Sequence, residues 1–184
     1  MEHFLFDEAV LQTLAHLSGS ESLPPKLVDM LREQRVAEKV HILNQRAFLG
    51  QLELELFSDL DESLVSLQRR LAQEYVPLDL PDKNDLAALF KIMHDNACGR
   101  NICRYRYLYG EILSADIYSL FQESGVHNQE KMRELGTRLR KSMLEPGGLV
   151  DGSASFSLFM GRDPSTDALF EMYGIENSVI EETN

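Results

Sequence analysis

Apolar side chains recur three and four residues apart along nearly the whole chain, and Gly, Pro and small polar residues cut the repeat into helix-length pieces. That pattern leaves room for helices joined by short loops and for little else. Its clearest stretch is Tyr105, Leu108, Tyr109, Ile112, Leu113, Ile117, Leu120 and Phe121, read as one stripe with Gly125 as the C-terminal stop. Residues 7–17 carry Val10, Leu11, Leu14, Ala15 and Leu17 at the same spacing, ended by Ser18-Gly19-Ser20. A second helix is expected to start near Pro24-Pro25 and run through Leu27, Val28, Met30 and Leu31, followed by a long segment from Val36 to Phe57. Leu52-Glu53-Leu54-Glu55-Leu56 alternates like a strand, but Glu is depleted in strands and both residues favour helix, so helix is predicted.

Asp61 reads as the N-cap of a helix over Leu64, Val65, Leu67, Leu71 and Ala72, closed by Pro77 and Pro81. A short helix from Asp85 to Met93 runs into a loop. Asn128 caps a helix with Met132, Leu135, Leu139 and Met143 inward and Pro146-Gly147-Gly148 at its end. Two short helices follow, around 154–159 and 165–173. The prediction is an all-α fold, with residues 1–184 a single helical region.

The net charge of −12 opposes nucleic acid, whose binders carry a basic surface. Residues 100–141 nonetheless hold eight of the 18 basic side chains against five acids, which reads either as a solvated face or as a basic patch for carboxylates of peptides. No apolar run approaches the roughly 18 residues of a membrane span, so no membrane partner is expected. Cys98 and Cys103 match neither a disulfide framework nor a zinc spacing, and free thiols fit a reducing compartment. With no signal or transit peptide at Met1, a cytoplasmic chain is expected, an organelle being left open because a transit peptide would lie upstream.

At 100° per residue, Tyr107, Glu111 and Ser114 fall opposite Leu108, Ile112 and Leu120. Tyr107 is thus expected to point toward solvent or a cleft, or to pack half-buried on a neighbouring helix. Asp116 falls inside the apolar stripe and there requires a hydrogen-bonded or charged partner, a structural role rather than a catalytic one.

The segment His94 to Phe121 resembles the substrate-binding loop and following helix of the thimet oligopeptidase and oligopeptidase A family of zinc endopeptidases. The family pattern runs H-x-x-x-G-G-Y-x-x-G-Y-Y-x-Y-L-W-x-E-V-L-A-A-D, and His94, Gly99, Tyr105, Tyr107, Leu108, Glu111, Leu113, Ala115 and Asp116 fall in register. Further similarities keep the family's order. They are Met1-Glu2-His3-Phe4, His16 to Pro24, the helix Gln45 to Phe57, Gly125 to Asn128, Leu144 to Gly148, Phe159 to Pro164, and Asp167-Ala168-Leu169 with Tyr173-Gly174-Ile175.

The resemblance implies a zinc-dependent oligopeptidase of short peptides, its metal held by H-E-x-x-H and a downstream Glu. No H-E-x-x-H occurs in the 184 residues. The family's third ligand lies just ahead of the Met-Glu pair, so the chain reads as the helical C-terminal portion of a larger α-helical catalytic domain, without the zinc-binding half. It is expected to bind no metal itself, to be inactive alone, and to pair with the missing N-terminal half or with itself through exposed apolar surface. By resemblance Tyr107 donates a hydrogen bond to the developing oxyanion, and His94, Gly99 and Arg100 belong to the substrate-binding loop. His94 has a second reading, a helix-end histidine bonded to terminal carbonyls.

The loop departs from the family. Cys98 and Cys103 replace two glycines, which removes their conformational freedom, and Arg100 stands for a tyrosine. A non-catalytic relative that binds peptides or a protein partner therefore stands as the alternative, and an unrelated helical interaction module as a third.

Overall fold

The computed structural model describes residues 2–17, 19, 22–58, 61–75 and 104–175. These form seven α-helices and no strand: α1 Glu8–Leu17, α2 Pro25–Leu56, α3 Leu64–Tyr75, α4 Tyr105–Glu123, α5 Gln129–Leu139, α6 Gly152–Met160 and α7 Asp167–Tyr173. A 3-10 turn, Glu2–Phe6, precedes α1; a π turn, Arg140–Leu144, and a 3-10 turn, Gly147–Leu149, follow α5. None of the described helices is long and apolar enough to cross a membrane.

Most boundaries follow local chemistry. The Asn128 side chain accepts from the Lys131 N–H at 3.1 Å and opens α5. Gly125, at φ +79°, ends α4 where an L side chain would be strained. Two expectations are corrected. The break between Leu31 and Val36 does not exist: Arg32-Glu33-Gln34-Arg35 are all good helix formers without Gly or Pro, and α2 runs unbroken for 32 residues. The cap of α3 is Ser63, whose hydroxyl accepts from the Ser66 N–H at 3.2 Å; Asp61 stands two residues too early. The predicted helix at 85–93 lies outside the described residues.

The chain divides into two compact units, one of residues to Val36 with those from Glu111 on, the other from Ala37 to Gly110. The core of the first unit brings Phe121 of α4, Leu135 of α5 and Phe159 of α6 together, with Phe4, Met132, Leu139 and Met143 packed around them. Its rings stack or meet edge-on, Phe4 against Phe121 at 5.4 Å and Phe121 over Phe159 at 6.3 Å. The core of the second unit is mainly aliphatic: Phe48 and Leu52 of α2 pack on Leu67, Leu71 and Ala72 of α3. Helix α4 is apolar nearly all round, so spacing alone selects no face. Tyr105 and Tyr109, expected inward, are 52% and 46% exposed, and the buried positions are Ala115, Asp116, Tyr118 and Phe121.

Candidate functional site at the start of helix α4

Within the second unit the first turn of α4 is fixed by a side chain from α2. Glu53, buried in the apolar run of Leu52 and Leu56, accepts the backbone N–H of Arg104 on Oε2 at 2.7 Å. A carboxylate at a helix N-terminus satisfies an otherwise orphaned donor and favours the positive end of the dipole. Gly50, one turn earlier on α2, lies against the Tyr105 backbone; a Cβ there would meet the Tyr105 nitrogen at 3.6 Å, ordinary contact. The close helix approach and the carboxylate together set where the next residues stand.

Tyr107 is one of those residues. Its N–H donates to the Arg104 carbonyl at 3.1 Å, and the residue is 47% exposed. The Arg106 guanidinium lies 5.0 Å from the ring centroid, and its Nη2 donates to the phenol oxygen at 3.2 Å. Arginine has no acceptor, so the tyrosine oxygen accepts here and its own proton stays available for a further acceptor. A half-exposed phenol on an anchored turn, with a guanidinium behind it, can donate a hydrogen bond to an anionic oxygen.

Glu111 and Ser114, expected to share the outward face with Tyr107, are half-buried and bonded in the first unit. Glu111 accepts from the Tyr173 hydroxyl at 3.4 Å, and Ser114 lies 3.0 Å from His3 Nε2. Of the predicted site residues, His94, Gly99 and Arg100 lie outside the described residues, and Tyr107 is the one whose surroundings are described.

Asp116 meets the sequence expectation of a structural carboxylate. It is fully buried and accepts two bonds from Arg162, Nη2 to Oδ1 at 2.5 Å and Nη1 to Oδ2 at 2.8 Å, and a third from the Ser165 N–H at 2.9 Å. Burial alone would push the carboxyl up, but the Arg162 and Ser165 bonds outweigh it and hold the group below the usual aspartate range. In the second unit Arg70 bonds both Glu55 and Glu62 in the open, and those bonds hold both carboxylates low.

Three residues that shape the two units were not singled out from sequence: Glu53, Arg162 and His3. A carboxylate inside an apolar run was the available signal for Glu53. Arg162 sits beside Gly161, the left-handed stop of α6 at φ +79°. Among the described residues no group of three or more His, Cys, Asp or Glu side chains could hold a metal ion.

A family model described as Peptidase family M3 matches residues 1–175. The chain is 31% identical over 186 residues to "Oligopeptidase A" of Salmonella typhimurium, covering 96% of this chain and 26% of that protein. It is 29% identical over 180 residues to "Oligopeptidase A" of Escherichia coli, with the same coverage of each. To "Organellar oligopeptidase A, chloroplastic/mitochondrial" of Arabidopsis thaliana it is 26% identical over 182 residues, 95% of this chain and 22% of that one. The chain thus spans about a quarter of the length of the curated relatives it matches.

Proposed function

The chain belongs to peptidase family M3, and on that premise we propose that it supplies one wall of the substrate channel of a zinc-dependent endopeptidase acting on short peptides. In this reading Tyr107 donates its phenol hydrogen to the oxyanion that forms at the scissile carbonyl. Glu53 and Gly50 position the turn that carries it. His94, Gly99 and Arg100 contact the peptide from the preceding loop. The observation that carries the proposal is the hydroxyl of the half-exposed Tyr107, its oxygen accepting from Arg106 and its proton left to give.

Zinc is the metal this reading implies, and the described residues do not fit it: they contain no candidate ligand group, and the sequence contains no H-E-x-x-H. We therefore assign the metal to residues other than the described ones. The partners that follow are short peptides and either the rest of a longer protein or a second copy. Leu149, Leu158 and Leu144, each more than two-thirds exposed, support an apolar contact surface.

A fluorogenic-peptide assay with added Zn²⁺ tests the proposal. The 184-residue chain alone gives no turnover, whereas the same chain joined to an upstream segment bearing H-E-x-x-H does, and Tyr107→Phe then lowers kcat about 10²–10³-fold with the fold intact. Chelator-sensitive turnover by the 184 residues alone, or an undiminished kcat in Tyr107→Phe, overturns it. The replacement of two loop glycines by Cys98 and Cys103 favours a second reading, a non-catalytic relative that binds peptides or a protein partner; peptide binding by the joined protein without turnover would select it.

A further inference from the structure

The first unit holds a cavity of about 410 Å³ that the Tyr107 reading leaves unused. Helix α2 contributes Arg32 and Arg35, one turn apart on the same face. Both guanidiniums are oriented by the N-terminal 3-10 turn. Arg32 Nε donates to the Phe6 carbonyl at 3.2 Å, and a guanidinium anchored through Nε keeps its two Nη groups as a fork for a carboxylate. Arg35 lies 3.9 Å over the Phe6 ring, and its Nη2 donates to His3 Nδ1 at 3.4 Å. The other ring nitrogen of His3, Nε2, lies 3.0 Å from Ser114 Oγ, so the imidazole bridges Arg35 and α4.

The other charged groups of the lining are acidic, Asp7 and Glu171. Tyr118, 8% exposed, also lines the cavity. Burial raises its phenol pKa, Asp7 raises it further, and Arg32 and Arg35 oppose the rise, so charges of both signs reach one buried hydroxyl. Two cations facing two anions disfavour a polyanion, which would meet Asp7 and Glu171, and a simple cation, which would meet the arginines. The balance suits a ligand that carries one charge of each sign. Phe6, Met172 and Tyr173 complete the walls with apolar surface, and the volume falls at the small end of ligand pockets, roughly 300–1,000 Å³.

We propose that this cavity binds a small zwitterion with an apolar side chain, a free α-amino acid. Its carboxylate sits on the Arg32 fork, its ammonium turns toward Asp7 and Glu171, and its side chain packs on Phe6 and Met172. The proposal is independent of the Tyr107 reading, which concerns the second unit.

Isothermal titration calorimetry on the 184-residue chain tests it with L-phenylalanine, N-acetyl-L-phenylalanine, L-phenylalanine amide and inorganic phosphate. L-phenylalanine is expected to bind saturably, the two blocked forms at least about tenfold more weakly, and phosphate not at all. Arg32→Gln and Glu171→Gln, checked for native circular dichroism, each weaken L-phenylalanine about tenfold; a tenfold change is a clear loss of one charged contact. The idea fails if L-phenylalanine shows no saturable heat, if either blocked form matches it, if phosphate binds more tightly, or if both variants keep the parent affinity.

Discussion

Each of the two compact units buries a carboxylate, Asp116 in one and Glu53 in the other, and the two carboxylates do different work. Asp116 is met by a bidentate guanidinium and a backbone N–H, and so ties residues 162–165 to the middle of α4. Glu53 is met by the Arg104 N–H at a helix start, three residues before an exposed tyrosine. The same group thus closes a core in one unit and sets the position of a chemically available side chain in the other. The surrounding aromatics follow the same division, ring against ring around Phe121 and half-exposed at Tyr105, Tyr107 and Tyr109.

The largest effect that follows from this contrast comes from Arg162→Ala. It leaves Asp116 buried with the Ser165 N–H as its remaining described bond, and the expected loss is about 3 kcal/mol, the lower end for a broken buried pair because Arg162 is itself 47% exposed. Urea unfolding followed by circular dichroism measures it, and a loss below about 1 kcal/mol would erase the distinction between the units.

The same pair has an acid signature. The Asp116 pKa is lowered on folding, so its contribution is fully present above the unfolded value of about 3.9 and fades as pH falls through the folded one. Asp116→Asn should therefore flatten the acid side of the stability curve, whereas an unchanged slope between about pH 5 and pH 2 would contradict the lowered pKa.

Glu53→Ala is the matching probe of the other unit, with an expected cost of about 2 kcal/mol for the loss of a hydrogen bond to a charged group. Amide exchange should quicken at residues 104–107 while the amides around Asp116 keep their protection; uniform quickening would mean that Glu53 is a global prop rather than a local anchor. The smallest change is a gain. Gly50→Ala puts a methyl into ordinary contact with Tyr105 and removes a flexible residue from the middle of α2, worth about 0.5–1 kcal/mol. A lower melting temperature would show that the helices approach more closely there than the 3.6 Å contact allows.

Much of the helical layout is written in short-range chemistry. Asn128 and Gly125 act on neighbours within one turn, so both were readable, as was the requirement that Asp116 have a partner. The face of α4 was not readable, because Tyr105, Leu108, Tyr109 and Ile112 offer apolar surface in several directions and periodicity gave Tyr105 and Tyr109 to the core. Nor was the unbroken run of α2, because the apolar positions to Leu31 and from Val36 read as two segments, while residues 32–35 between them are good helix formers that join them.

From its residues alone this chain determined an all-α build, the family pattern of ordered motifs around Tyr107, and a buried carboxylate in search of a partner. Tertiary structure alone chose the partners. Arg162 reaches Asp116 across 46 positions and Glu53 reaches Arg104 across 51. Helix formation and capping are decided by contacts within about four residues, while the group that satisfies a buried charge is whichever distant segment packing carries to it.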